Sequence, residues 1–207
     1  PVSKGENSFA VLPVRCPPRI VGHRFPMADR RTRDALSTID RLSCGDGFVP
    51  RAVSERTSAL QAAARSGRFD APLCGTIVDR LLDQPGSRVG LLTGFVVPCA
   101  FPYGENDGPL GSVALARALQ RAGYQVDLYA DPPVVDHTTW LAAEIGADVR
   151  VLPIPESPSD TLFATLDVAI AVEKPGRNAA GYLHAWGGQR IEEGSIPIDA
   201  FIDSLMK

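Results

Sequence analysis

Three stretches of the chain carry residue types that can do chemistry. The richest is Glu105-Asn106-Asp107-Gly108-Pro109, two carboxylates set among Gly104, Gly108 and Gly111. Glycines around carboxylates permit close backbone approach to a ligand, which makes the loop a small-anion or metal site. The competing reading is helix capping, with Asp107 or Asn106 as N-cap and Glu105 as a partner of the helix dipole. No Gly-Lys-Ser/Thr follows and the glycine spacing is not Gly-x-Gly-x-x-Gly, so neither a Walker loop nor a dinucleotide fingerprint is present. The second stretch, Glu173-Lys174-Pro175-Gly176-Arg177, packs opposite charges into five residues. A solvated turn with internal ion pairs is the plain alternative. If the two loops meet, Glu105, Asp107 and Glu173 supply oxygen ligands to a hard divalent cation, Mg²⁺ or Mn²⁺, while Arg177 offers a planar fork to a substrate carboxylate. The third stretch holds His184, whose imidazole can move a proton near neutral pH; a structural histidine in a Gly-rich turn is the alternative. Neither His23 nor His137 has a nucleophile nearby and there is no Gly-x-Ser-x-Gly elbow, so a serine-hydrolase triad is unsupported.

These loops need elements to hold them. Residues 89–95 form a short apolar run of the kind that fills a buried parallel strand. A helix over 109–122 follows, with Leu115, Ala118, Leu119 and Ala122 on one face and Gly123 as its stop. Then come a strand at 125–129, a helix at 138–145 closed by Gly146, a strand at 149–152, a helix at 160–166 and a strand at 167–172. Strands separated by helical connections call for right-handed crossovers, hence a three-layer α/β fold with a mainly parallel sheet and helices on both faces. In such sheets ligands gather beyond the carboxyl ends of the strands. That rule selects the Glu105 loop, the Asp131-Pro132-Pro133 corner and the Glu173 loop. Upstream, residues 32–42, 54–67 and 74–82 read as helices, the second with Ser54 as N-cap and Leu60, Ala63 and Ala64 on one side. Residues 1–50 read as an irregular arm and 51–207 as the α/β domain.

Composition bounds the rest. The 207 residues carry 21 basic and 24 acidic side chains, a net charge of −3, which leaves no basic surplus for a nucleic-acid backbone. No apolar stretch is long enough for a membrane span and the opening residues lack the apolar core of a secretory signal, so a cytoplasmic location is expected. Cys16, Cys44, Cys74 and Cys99 are scattered singly, without metal-site spacing.

Leu92-Thr93-Gly94-Phe95, then Glu105-Asn106-Asp107-Gly108-Pro109-Leu110-Gly111 leading into a helix, then Asp131, then Val172-Glu173-Lys174-Pro175-Gly176-Arg177, together resemble the D-glutamate cyclase-like domain over residues 88–201. The resemblance implies an acidic cleft and loss of water from D-glutamate to give 5-oxo-D-proline. It implies Glu105, Asp107 and Glu173 as the catalytic groups, with Thr93, Gly94, Asn106, Gly108, Lys174 and Arg177 contacting substrate; His184 lines the same cleft. Departures exist: the family usually has Thr where Asn106 stands and Asp-Gly where Ala180-Gly181 stands. Family members also continue past the position of Lys207 into a Gly-Asp-Gly-Gly-Asn-Glu type segment. Two other readings stay open. One is a biosynthetic lyase or cyclase acting on another amino-acid-like carboxylate. The other is a non-catalytic subunit of an oligomer whose partner chain supplies that last segment.

Overall fold

The computed structural model describes residues 30–43, 50–65, 73–98, 100–155, 165–185, 188–191, 193–199, 201 and 203. Strand β1 (Arg88–Thr93) pairs in parallel with β2 (Gln125–Ala130) on one side and β4 (Val168–Ala171) on the other, and β3 (Arg150–Pro153) adds to the free edge of β2. The order is therefore β3-β2-β1-β4, all parallel, an α/β sheet as the alternation of elements requires.

The apolar residues of β1 and β2 explain why this sheet forms. Val89, Leu91, Leu128 and Ala130 are wholly buried on one face, where helices α4 (Asp107–Arg121) and α5 (Val135–Ile145) cover them with Val113, Ala116, Leu119 and Ala142. Each such aliphatic side chain removed from water stabilises the fold by about 1.5–3 kcal/mol. Leu92 and Tyr129 point the other way, into a second cluster with Ile154, Leu166, Ile198 and Phe201. The handedness rule accounts for both layers. Right-handed steps from β1 to β2 to β3 put α4 and α5 on one face, and the return past β1 to β4 must cross the opposite face. Ile154 and Leu166, near the two ends of that return, do pack there.

Several boundaries differ from the sequence expectation for local reasons. The second helix, α2 (Arg51–Arg65), starts behind Pro50 rather than at Ser54, and α5 starts at Val135 because Pro132–Val134 form a single 3-10 turn that leads into it. Two short strands, β5 (Leu183–His184) and β6 (Arg190–Ile191), pair antiparallel where the sequence reading had a Gly-rich turn. Residues 160–164 of the helix expected at 160–166 lie outside the described residues. The helix expected at 32–42 is present as α1 (Arg30–Ser43); it packs on α3 (Leu73–Leu82), and the buried Asp40 carboxylate accepts the Cys74 N–H at the start of α3. No described helix is long and apolar enough to cross a membrane.

Candidate functional site

The sheet changes winding direction between β1 and β4, and in an open parallel sheet the crevice beyond that switch point is where ligands bind. The amino end of α4 sits directly over it. A Cβ on Gly108 would stand 2.8 Å from Thr93 Oγ1 at the end of β1 and 2.9 Å from Glu173 Cβ just past β4, so only glycine lets the helix come this close. The loop from β1 to α4 is closed by its own backbone: Glu105 N–H donates to Phe95 C=O, Val97 N–H to Phe101 C=O and Gly104 N–H to Phe101 C=O. Val97 then anchors that loop against Leu183 of β5 and Ile191 of β6. The result sets Glu105 and Asp107 at the mouth of the helix, opposite Glu173.

Carboxylate oxygens of Glu105, Asp107 and Glu173 lie within 4.8 Å of one another. Glu105 is half-buried and the other two are exposed. Burial raises the Glu105 pKa above the usual carboxylate value, and the charges of Asp107 and then Glu173 raise it further. Among the described residues, no basic side chain pairs with any of the three. Glu173 also holds a left-handed backbone, φ 49°, a conformation a non-glycine residue keeps only where its surroundings impose it. The capping alternative fares poorly: Asn106 occupies the N-cap position without a side-chain cap, and Asp107 Oδ1 accepts only the N–H of Gly108.

Some expected site residues are placed elsewhere. The Lys174 ammonium is fully buried and donates to Asp131 Oδ2 (2.6 Å) and to Gly94 C=O (3.1 Å), so it faces inward rather than toward a substrate. Burial raises the Asp131 carboxyl and lowers the Lys174 ammonium, each against the pull of its partner. Thr93 is likewise fully buried; its Oγ1 has no hydrogen-bond partner and is shut beside Gly108. Gly94, at φ 102°, turns the chain out of β1 with Asp131 N 2.9 Å from where a Cβ would be. Its contribution is that turn and the carbonyl given to Lys174. Arg177 is exposed and its backbone N–H donates to Asp199 Oδ2 (2.8 Å), leaving the guanidinium without an ion pair among the described residues. His184 lies on β5, its Nδ1 3.3 Å from Asn178 Nδ2. It does not belong to the acidic trio.

Sequence reasoning selected the Asp131 corner as a ligand-side loop but gave the Asp131 side chain no part of its own, and it passed over the 195–196 segment. Asp131 Oδ1 accepts the Ile196 N–H (3.0 Å), and Ser195 Oγ accepts the Val96 N–H (2.7 Å), so the late segment straps across the ends of β1 and β2. The signal for Asp131 was legible: a carboxylate that directly ends an apolar strand and precedes two prolines. A second polar cleft, lined by Arg88, Tyr124, Gln125, Asp127, Asp148 and Arg150, opens at the amino ends of the strands, away from this chemistry. There Asp127 accepts from Arg88 (2.9 Å) and from Arg150 (2.7 and 2.8 Å).

Comparison with protein families gives a match over residues 43–207 to the family described as D-glutamate cyclase-like, C-terminal. The chain belongs to that family. The match starts within a residue of the end of α1 and takes in the whole sheet, the α4 amino end and all three members of the trio. No curated protein matches the chain.

Proposed function

We propose that this member of the D-glutamate cyclase-like family is a lyase that closes D-glutamate, or a closely related amino acid, into a lactam of the 5-oxo-D-proline type. The observation that carries this reading is the meeting of Glu105, Asp107 and Glu173 at the switch point of the sheet. In the reaction the α-nitrogen forms a bond to Cδ, the carbon of the γ-carboxylate, one carbon–oxygen bond of that carboxylate breaks and the oxygen leaves as water. Two obstacles must be met: the nitrogen arrives as an ammonium, and the γ-carboxylate, being anionic, repels a nucleophile.

Glu105 is suited to the first. Its raised pKa brings it closer to working pH, which improves a carboxylate as a base for the ammonium proton. Asp107 and Glu173, with Glu105 at the third corner, form an all-oxygen donor set that fits Mg²⁺ or Mn²⁺. Three converging carboxylates without a basic partner suit a cation. When bound there, such an ion would act as a Lewis acid on the γ-carboxylate. Arg177, outside any ion pair among the described residues and four residues past Glu173, offers its fork to the α-carboxylate and so orients the amine. The exposed side chain of Asn106 borders the same mouth.

The test is direct. The purified chain is incubated with D-glutamate and separately with L-glutamate, with and without Mn²⁺, and lactam formation is followed by NMR. Lactam formation from the D-isomer, lost in Glu105→Gln, is expected. If neither isomer reacts while other amino acids do, the substrate assignment fails; if Glu105→Gln keeps full turnover, the base assignment fails.

A further inference from the structure

The buried Lys174–Asp131 pair touches four segments at the carboxyl edge of the sheet. Asp131 follows β2, Gly94 follows β1, Lys174 follows β4 and Ile196 belongs to the strap, and all four are joined by hydrogen bonds of 2.6 to 3.1 Å through these two side chains. Both side chains are wholly buried, so neither can contact a substrate. Yet Lys174 is the residue immediately after Glu173, whose backbone is held left-handed at φ 49°. With the Lys174 side chain pinned inward on one side of Glu173, and Val172 N–H pinned to Leu92 C=O on the other, the backbone between has one way to turn. That turn puts Glu173 Cβ against Gly108 and its carboxylate with Glu105 and Asp107.

We propose that Lys174 and Asp131 are positioning residues: a buried ionic latch that imposes the left-handed turn at Glu173 and thereby places its carboxylate in the trio. This extends the proposed function, since it rests on Glu173 being a member of the working site. The alternative explanation, a pair retained only for general stability, makes a different forecast for Glu173. A buried ion pair is itself weak evidence for stability, because removing both charges together is often neutral.

The variant that isolates the latch is Asp131→Asn with Lys174→Met, which leaves no lone charge in the interior and keeps an amide oxygen for Ile196 N–H. Two readouts are taken at a temperature well below its unfolding midpoint. The first is the backbone ¹³C chemical shifts of Glu173, which report a left-handed residue whether or not the protein binds a metal. The second is Mn²⁺ affinity measured by electron paramagnetic resonance, with Glu173→Gln as the reference for complete loss of that ligand. The latch predicts loss of the left-handed signature and a 10- to 100-fold weaker Mn²⁺ site, the range seen when groups that orient a ligand are removed. A folded double variant that keeps the left-handed signature overturns the latch. If the wild-type chain binds no Mn²⁺, the cation reading falls, and the Glu173 shifts still decide the latch by themselves. Should the double variant not fold, Lys174→Arg and Asp131→Glu, which keep the charges but alter the reach, are read by the same shifts; an unaltered Glu173 in folded forms of both overturns the proposal.

Discussion

Replacing Glu105 with Gln should make the protein more stable and less active at once. The trio holds three carboxylates with oxygens no farther apart than 4.8 Å and no basic side chain among the described residues to balance them. At that separation each like-charge pair costs about 0.9 kcal/mol in a water-like medium. Glu105 faces two such neighbours, and salt and exposure reduce the sum to about 1 kcal/mol. Removing the charge at pH 7 should therefore raise the unfolding midpoint by about 2–4 °C for a chain of this size. The pH dependence fixes the sign. The folded-state pKa of Glu105 is raised, so the fold prefers its protonated form, and stability is lost as pH rises through that value. The advantage of Glu105→Gln should thus be present at pH 7 and vanish well below the normal carboxylate range, where wild type is protonated too. Calorimetry at pH 7 and at low pH, in metal-free buffer, measures both. Adding Mn²⁺ should reverse the ranking at pH 7, because a ligand present at a hundredfold over its dissociation constant stabilises the wild type by about 2.7 kcal/mol. An equal or lower midpoint for Glu105→Gln in metal-free buffer at pH 7 would refute the claim that these carboxylates are held together against their repulsion.

Gly108→Ala places a methyl group 2.8 Å from Thr93 Oγ1 and 2.9 Å from Glu173 Cβ, so it should cost about 1–3 kcal/mol and most of the activity, whereas Gly111→Ala, which meets only Val172 Cγ1 at 3.7 Å, should be neutral or stabilising by about 0.5–1 kcal/mol; thermal melts and turnover compare them. Asp127→Ala strands Arg88 and Arg150 at the far end of the sheet and should cost about 2–3 kcal/mol in denaturant titration, with KM unchanged in the folded fraction. Lys174→Met alone leaves Asp131 buried without its counter-ion and should destabilise by about 3–5 kcal/mol, far more than the double replacement with Asp131→Asn, as urea midpoints would show. Arg177→Ala, exposed and outside any ion pair among the described residues, should leave the melting midpoint within about 0.5 kcal/mol of wild type while raising KM for an α-amino acid substrate.

The sheet was legible because its strands are continuous apolar runs and its connections have helical length. From that followed the rule that ligands gather beyond the carboxyl ends of the strands, which selected the Glu105 and Glu173 loops among three, while the strand order that makes these two meet at a switch point came only with the structure. What stayed hidden were side-chain directions. Lys174 and Arg177 look interchangeable as neighbouring cations, but Lys174 lies one residue past a left-handed backbone and is carried into the interior, while Arg177 stays outside. Thr93 was chosen through the family resemblance, and its place at the end of β1 is under a helix terminus brought close by Gly108. The pairing of β5 with β6 was invisible because each strand is two residues long, too short to show alternation.

One asymmetry of this sheet bears on how such a protein can change over time. Its lower rim is clasped by two arginines on one aspartate, and its upper rim carries the unneutralised acids. The clasp and the acids thus lie at opposite poles about a sheet's height apart. Substitutions among the exposed acids leave the clasp untouched, so the charge of the upper rim can change without loosening the lower one.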